Sequence, residues 1–323
     1  MSVPPPCVTK VKDYVPYAPL PPVVHTQSAP PMPADGCRSH CHPLGGYVHP
    51  GGLHKLSRMY RYDQVDFDRH VQEFTNSISE MELVYNTGLP DDLTLYVDGI
   101  IEEIPRGTPP HLRANIVRQR NLKVDEDVNR RAEDTILTTA SSIYHKLFPS
   151  TPSHWAFRRH RVYGVLPQYF NAYIFGEWED MASLSTGSVA VFVVPPWYLA
   201  PRDMEDVINT HRFKYMPITG ETSPSVDQKR QHYWAMIDNV CYNNKIRHFA
   251  LTTYEQWVFG CLSDDWKVAS LSEVRGQTAS NPTILEYLLF WMHCGGGSEP
   301  GMRPSEDLFW GDPQAIHAIS SLY

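Results

Sequence analysis

Residues Val189 to Val194 read Val-Ala-Val-Phe-Val-Val and close on Pro195-Pro196-Trp197. A run so rich in Val and Phe, and too short for a helix, predicts a buried strand. Neither proline can donate to a sheet ladder, so the strand ends there. A short helical pattern opens next, near Pro201 and Asp203. A buried strand leading into a helix often presents function at its carboxyl end. This one carries no acid, no lysine and no histidine.

The rest of the chain supplies ample material to cover such a strand. Its 323 residues are 42% hydrophobic and 20% charged, an ordinary composition for one large domain or two smaller ones. The net charge of −8 gives no whole-chain electrostatic case for nucleic acid, although a local basic groove is compatible with it. There is no apolar run of about 18 residues, so neither a membrane span nor a membrane partner is expected. The start, Met1-Ser-Val-Pro-Pro-Pro, lacks the basic and apolar regions of a secretory signal. Six scattered cysteines suit reduced thiols, hence an intracellular, cytoplasmic or nuclear, non-secreted protein.

Residues 1–60 read as a Pro-rich, disordered tail, since twelve of the 28 prolines fall in the first 50 residues. Pro16-Tyr-Ala-Pro19 and Pro19-Leu-Pro-Pro22 match the PxxP form that SH3-type grooves read, a form that also arises by chance in such tails. The tail is thereby a place for an unknown protein partner. It also holds Cys37, His40, Cys41 and His42, followed by His49 and His54. Thiolates and imidazoles are zinc ligands, but the spacing is not that of a finger with two knuckles.

Residues 61–122 read as a helix and strand extension packing on the core. Val65, Phe67, Val71, Phe74, Ile78 and Met81 follow a loose helical spacing, and Leu93, Leu95 and Val97 alternate as in a strand. Residues 123–294 read as the core. A helix from about Asp125 to Phe148 carries the stripe Val128, Ala132, Ile136, Thr139, Ile143 and Leu147. The run Arg158-Arg-His-Arg161 would suit phosphate, but most charge runs are solvated faces. Tyr169 to Phe175 predicts a strand, 224–241 a helix and Arg247 to Thr253 a strand. Gln256 to Leu262 and Trp266 to Leu271 predict a hairpin, and 281–292 a last helix with Pro282 near its first turn. Gly295-Gly-Gly-Ser-Glu-Pro300 reads as a flexible link to a tail, 295–323. The expected order, α-β-β-α-α-β-β-β-α, is a mixed α/β (α+β) architecture around one central sheet.

Several blocks carry a resemblance. Val191-Phe-Val-Val-Pro-Pro-Trp197 with Asp203-Met-Glu-Asp-Val207, the helix with Gln231, Trp234 and Met236, His248-Phe-Ala-Leu-Thr-Thr-Tyr-Glu-Gln-Trp-Val-Phe259, and Asn281-Pro-Thr-Ile-Leu-Glu-Tyr-Leu-Leu-Phe-Trp291 look like successive blocks of a group of proteins from mushroom-forming (basidiomycete-type) fungi. That group has a PD-(D/E)XK nuclease-like core, with a strand of the form EVKTPW. The resemblance covers about half the chain, mostly residues 125–294. It implies a restriction-endonuclease-like mixed central sheet flanked by helices.

Active members of such a group would use two acids to hold Mg²⁺ and a lysine two residues beyond the second acid, on the same face of the strand. Here the acid position is Phe192, the lysine position is Val194, and the upstream aspartate is replaced near Asn171. Such a pattern is a degenerate one, and the expected function is a non-catalytic binding or scaffold module with no cofactor. A first alternative is a Mg²⁺-dependent nucleic-acid hydrolase with relocated acids, drawn from Glu133, Glu179 and Asp180, with Arg158, Arg159 and Arg161 touching nucleic acid. A second is a zinc-binding interaction protein using Cys37, His40, Cys41 and His42. Phosphate-loop, dinucleotide, zinc-protease, nucleophile-elbow and kinase motifs are all missing from the sequence.

Overall fold

The computed structural model describes residues 7–17, 20, 56, 58–85, 95–97, 100–102, 125–152, 154–160, 169–179, 184–209 and 226–296. In chain order the elements are β1 (Cys7–Lys10), α1 (Val11–Tyr14), β2 (Arg58–Arg61), α2 (Gln64–Ser77), β3 (Glu82–Tyr85), β4 (Leu95–Val97) and β5 (Ile100–Glu102). A long helix, α3, spans 125–147 and is followed by β6 (Ala156–His160), β7 (Asn171–Trp178) and β8 (Leu184–Val193). Then come α4 (Pro201–Ile208), α5 (Val226–Asn244), β9 (His248–Thr252), β10 (Gln256–Leu262), β11 (Val268–Leu271), β12 (Arg275–Gly276) and α6 (Ile284–Gly296).

One mixed, mostly antiparallel sheet of eight described strands organises these elements, in the order β2-β11-β10-β9-β8-β7-β6, with β12 also on β10. The apolar run sits in its middle. Strand β8 pairs antiparallel with β7 and parallel with β9, and α4 and α5 make the crossover that a parallel pair requires. Val189, Val191 and Val193 pack with Tyr173 and Phe175 against α3 and α6. Ala190, Phe192 and Val194 pack on the opposite face, against α4 and α5. All six are 0% exposed. Burial of each Val or Phe contributes about 1.5–3 kcal/mol, so this strand anchors both layers.

The α3 stripe is buried as its spacing predicts, including Val128, Ala132, Ile136, Ile143 and Leu147. Repeated steps of four drift around a 3.6-residue helix. A π-helical turn, Glu133–Leu137, takes up that drift, and the Thr138 hydroxyl donates to the Glu133 carbonyl at 2.7 Å. Helix α6 starts at Ile284, with Pro282 two residues before it, near its first turn. Thr283 and Glu286 cap it reciprocally: the Glu286 carboxylate accepts from the Thr283 N–H at 2.7 Å, and the Thr283 hydroxyl oxygen accepts from the Glu286 N–H at 3.3 Å.

Three expectations give way. The arginine run at 158–160 is strand β6, the sheet's last strand, so the core contains a three-strand antiparallel meander where two strands were expected. Its charges hide the period-two pattern. The stretch expected as tail is not one throughout: β1 pairs with β3, Val11, Tyr14 and Val15 are buried, and β2 adds in parallel to β11. Gly295 is the end of α6 rather than a link. A Cβ there would lie 2.4 Å from the Ser188 carbonyl oxygen, so the missing side chain lets the helix end approach β8. Among the described residues no helix is long and apolar enough to cross a membrane.

Candidate functional site

The parallel pair β8 and β9 points its carboxyl ends toward one rim of the sheet, where β7 begins. The outer side of such strand ends, where connections diverge, is the usual ligand position in open α/β sheets. The Val194 N–H donates to the Thr252 carbonyl at 2.9 Å, extending the ladder one residue past β8. Pro195 then accepts from the N–H groups of Tyr198 and Leu199, at 3.0 and 3.3 Å, and turns the chain into α4. The Asp203 carboxylate accepts from the Ala200 N–H at 3.3 Å and fixes the start of that helix.

On the side of α4 and α5 this rim holds a neutral polar and aromatic cluster. The rings of Tyr169 and Tyr198 lie 4.7 Å apart, and the Tyr233 hydroxyl donates to the Tyr198 carbonyl at 3.2 Å. The buried imidazole of His232 lies with Nε2 3.3 Å from the Tyr169 hydroxyl. Burial pushes its pKa down to about 4, so the ring is neutral at pH 7. Two residues earlier on α5, Arg230 pairs with Asp206 of α4 at 2.9 Å. Sequence reasoning missed this cluster because Tyr169 and His232 are 63 residues apart and no motif joins them.

On the other side Asn171 is buried and its Oδ1 accepts from the Arg159 guanidinium. Asn171 pairs with Val193, whereas Phe192 pairs with Ala172. Alternation therefore sets Asn171 on the face of Val191 and Val193, and Phe192 and Val194 on the face of α4 and α5. The three degenerate positions do not share a face. A strand shows its own alternation in sequence but not its register with a neighbour.

Of the acids proposed to relocate, Glu179 lies away from this rim. Glu179 is exposed just past Trp178, at the far end of β7 from Asn171. Eight residues of extended chain put roughly 26 Å between them. Its neighbour Glu177 pairs with His154 at 2.9 Å. Glu133 begins the π turn of α3 and is half-buried. Asp180, Arg161, Cys37, His40, Cys41 and His42 lie outside the described residues. Arg159 faces Asn171, while Arg158 lies on the opposite face of β6 beside His160, whose Nε2 is 3.3 Å from Asn244 Nδ2. Among the described residues no three His, Cys, Asp or Glu side chains are grouped to hold a metal ion.

Comparison with family models, curated proteins and solved structures gives no match to this chain.

Proposed function

We propose that residues 125–296 form a nuclease-like scaffold without hydrolytic chemistry, serving as a binding module for a protein partner. What supports the reading is coarse: a mixed central sheet with α3 and α6 on one face and α4 and α5 on the other. The observation that carries the reading is the burial of Phe192 and Val194, both 0% exposed within an apolar cluster. Mg²⁺ keeps oxygen ligands and several waters, and neither side chain offers a lone pair. A protein partner is favoured over nucleic acid by the net charge of −8 and by the splitting of Arg158 and Arg159 between two faces of β6.

The test is a cleavage assay of the purified full chain with Mg²⁺ or Mn²⁺ on single- and double-stranded DNA and RNA, with nucleic-acid binding titrated in parallel. The reading expects neither cleavage nor tight binding. Metal-dependent cleavage that disappears in Glu133→Ala would overturn it.

A further inference from the structure

Strands β1 and β3 form a ribbon of their own, apart from the eight-stranded sheet, with Cys7 opposite Tyr85 and Lys10 opposite Glu82. Past β1 the pairing continues: the Val11 N–H donates to the Met81 carbonyl and the Lys12 N–H to the Ser79 carbonyl, both at 3.1 Å. Val11, Tyr14 and Val15 are then buried beside Phe67, Val71, Phe74 and Leu83. The Thr283 hydroxyl, at the cap of α6, donates to the Val15 carbonyl at 3.3 Å. Outside, Lys10 and Lys12 both pair with Glu80, the former at 2.6 Å. This is how a bound peptide sits: main-chain pairing for affinity, apolar anchors at i, i+3 and i+4 of a helical turn for register, and a charge at the rim. In sequence, 35 residues separate Leu20 from Leu56.

We propose that residues 7–16 are a separable strap, and that the groove beneath it, walled by α2, β3 and the start of α6, is a peptide-binding seat that the strap fills in the resting chain. The ligand class follows from the occupant: a short strand that runs into one helical turn, with a β-branched residue between two lysines, then an aromatic and a second β-branched residue, as in Lys10-Val-Lys-Asp-Tyr-Val15. The seat is independent of any nuclease-like reading of the sheet, since it lies on α2, β3 and the start of α6 and not at the rim beside β7.

The experiment uses the full chain and a fluorescein-labelled peptide of residues 7–17. Val11→Asp should eject the strap, leave the near-ultraviolet dichroism of the buried tryptophans unchanged, and speed amide exchange at Lys10, Val11 and Lys12 by about tenfold or more. The peptide should bind this variant and ignore the wild-type chain at the same concentration. In a chain carrying both Val11→Asp and Glu80→Lys, binding should weaken about fivefold. Glu80→Lys alone alters an exposed side chain and so cannot unfold the body. In that variant the strap amides should speed up while those of β8 and β9 do not. Equal acceleration in strap and sheet, a peptide that ignores the Val11→Asp chain, or one that binds both chains alike would overturn the proposal.

Discussion

Two polar clusters tie helices to this sheet, and they are built from opposite materials. Where α2, β12 and α6 meet, Asp68 receives the Arg275 guanidinium, the Tyr287 hydroxyl and, at 2.5 Å, the Gln64 amide. Gln64 in turn accepts from the Glu273 N–H at 2.7 Å. Arg275 and Asp68 keep 24% and 22% of their side-chain surface exposed, so a charged pair persists there with water at hand. At the carboxyl ends of β8 and β9 the buried group is a neutral imidazole among tyrosines. The difference shows what each location tolerates. Near the surface a charge can be matched by opposite charge; deep between α5 and β7 desolvation wins and the group sheds its proton.

The largest effect should come from forcing a charge on the dry side. Phe192→Asp places a carboxylate in an apolar cluster and should cost about 5 kcal/mol or more, read as loss of the cooperative urea transition. A folded Phe192→Asp chain would mean that this region is wetter than its packing indicates. Next is acid. His232 has its pKa lowered to about 4 from an ordinary 6.5, so its neutral form stabilises the fold fully above pH 6.5. As pH falls from 6.5 to 4 the unfolded chain takes up the proton first, and about 3 kcal/mol of stability is lost. His232→Gln should flatten that stretch of the stability profile; an unchanged slope would assign it to another group.

Smaller again is Asp68→Ala, which leaves Arg275 and the Tyr287 hydroxyl without their carboxylate. About 2 kcal/mol should go, measured by urea denaturation at pH 7. Tyr287 has its hydroxyl pKa raised, by burial first and then by its bond to Asp68. Its ultraviolet titration should move toward the ordinary tyrosine range in the same variant. Smallest is Glu80→Ala. Lys10 and then Lys12 hold that carboxylate down to about 2, but it is fully exposed. The global melting temperature should move by no more than about 2 °C.

What the sequence discloses follows the same division. Strand β8, the β10 and β11 hairpin and the stripe of α3 are legible because burial imposes a period on apolar residues. Strand β6 is not, since Arg158, Arg159 and His160 interrupt the alternation on a half-buried sheet edge. Nor is the strap, whose anchors Val11, Tyr14 and Val15 sit among prolines that read as tail. At the rim, the loss of acid and lysine at Phe192 and Val194 is visible from residue types alone. That Asn171 faces away from both depends on β7 pairing with β8, and that His232 meets Tyr169 depends on how α5 crosses back. Both are relations between distant segments, which local patterns do not encode.

On the proposed function, this rim packs helices against the sheet and holds no catalytic metal. Titrating Mn²⁺ into the isotope-labelled full chain tests it most directly, because a bound paramagnetic ion broadens nearby amide signals. The amides of Asn171, Val193 and Thr252 should stay sharp at metal concentrations that leave the spectrum otherwise intact. Saturable broadening centred on those three, reversed by excess Mg²⁺, would contradict it.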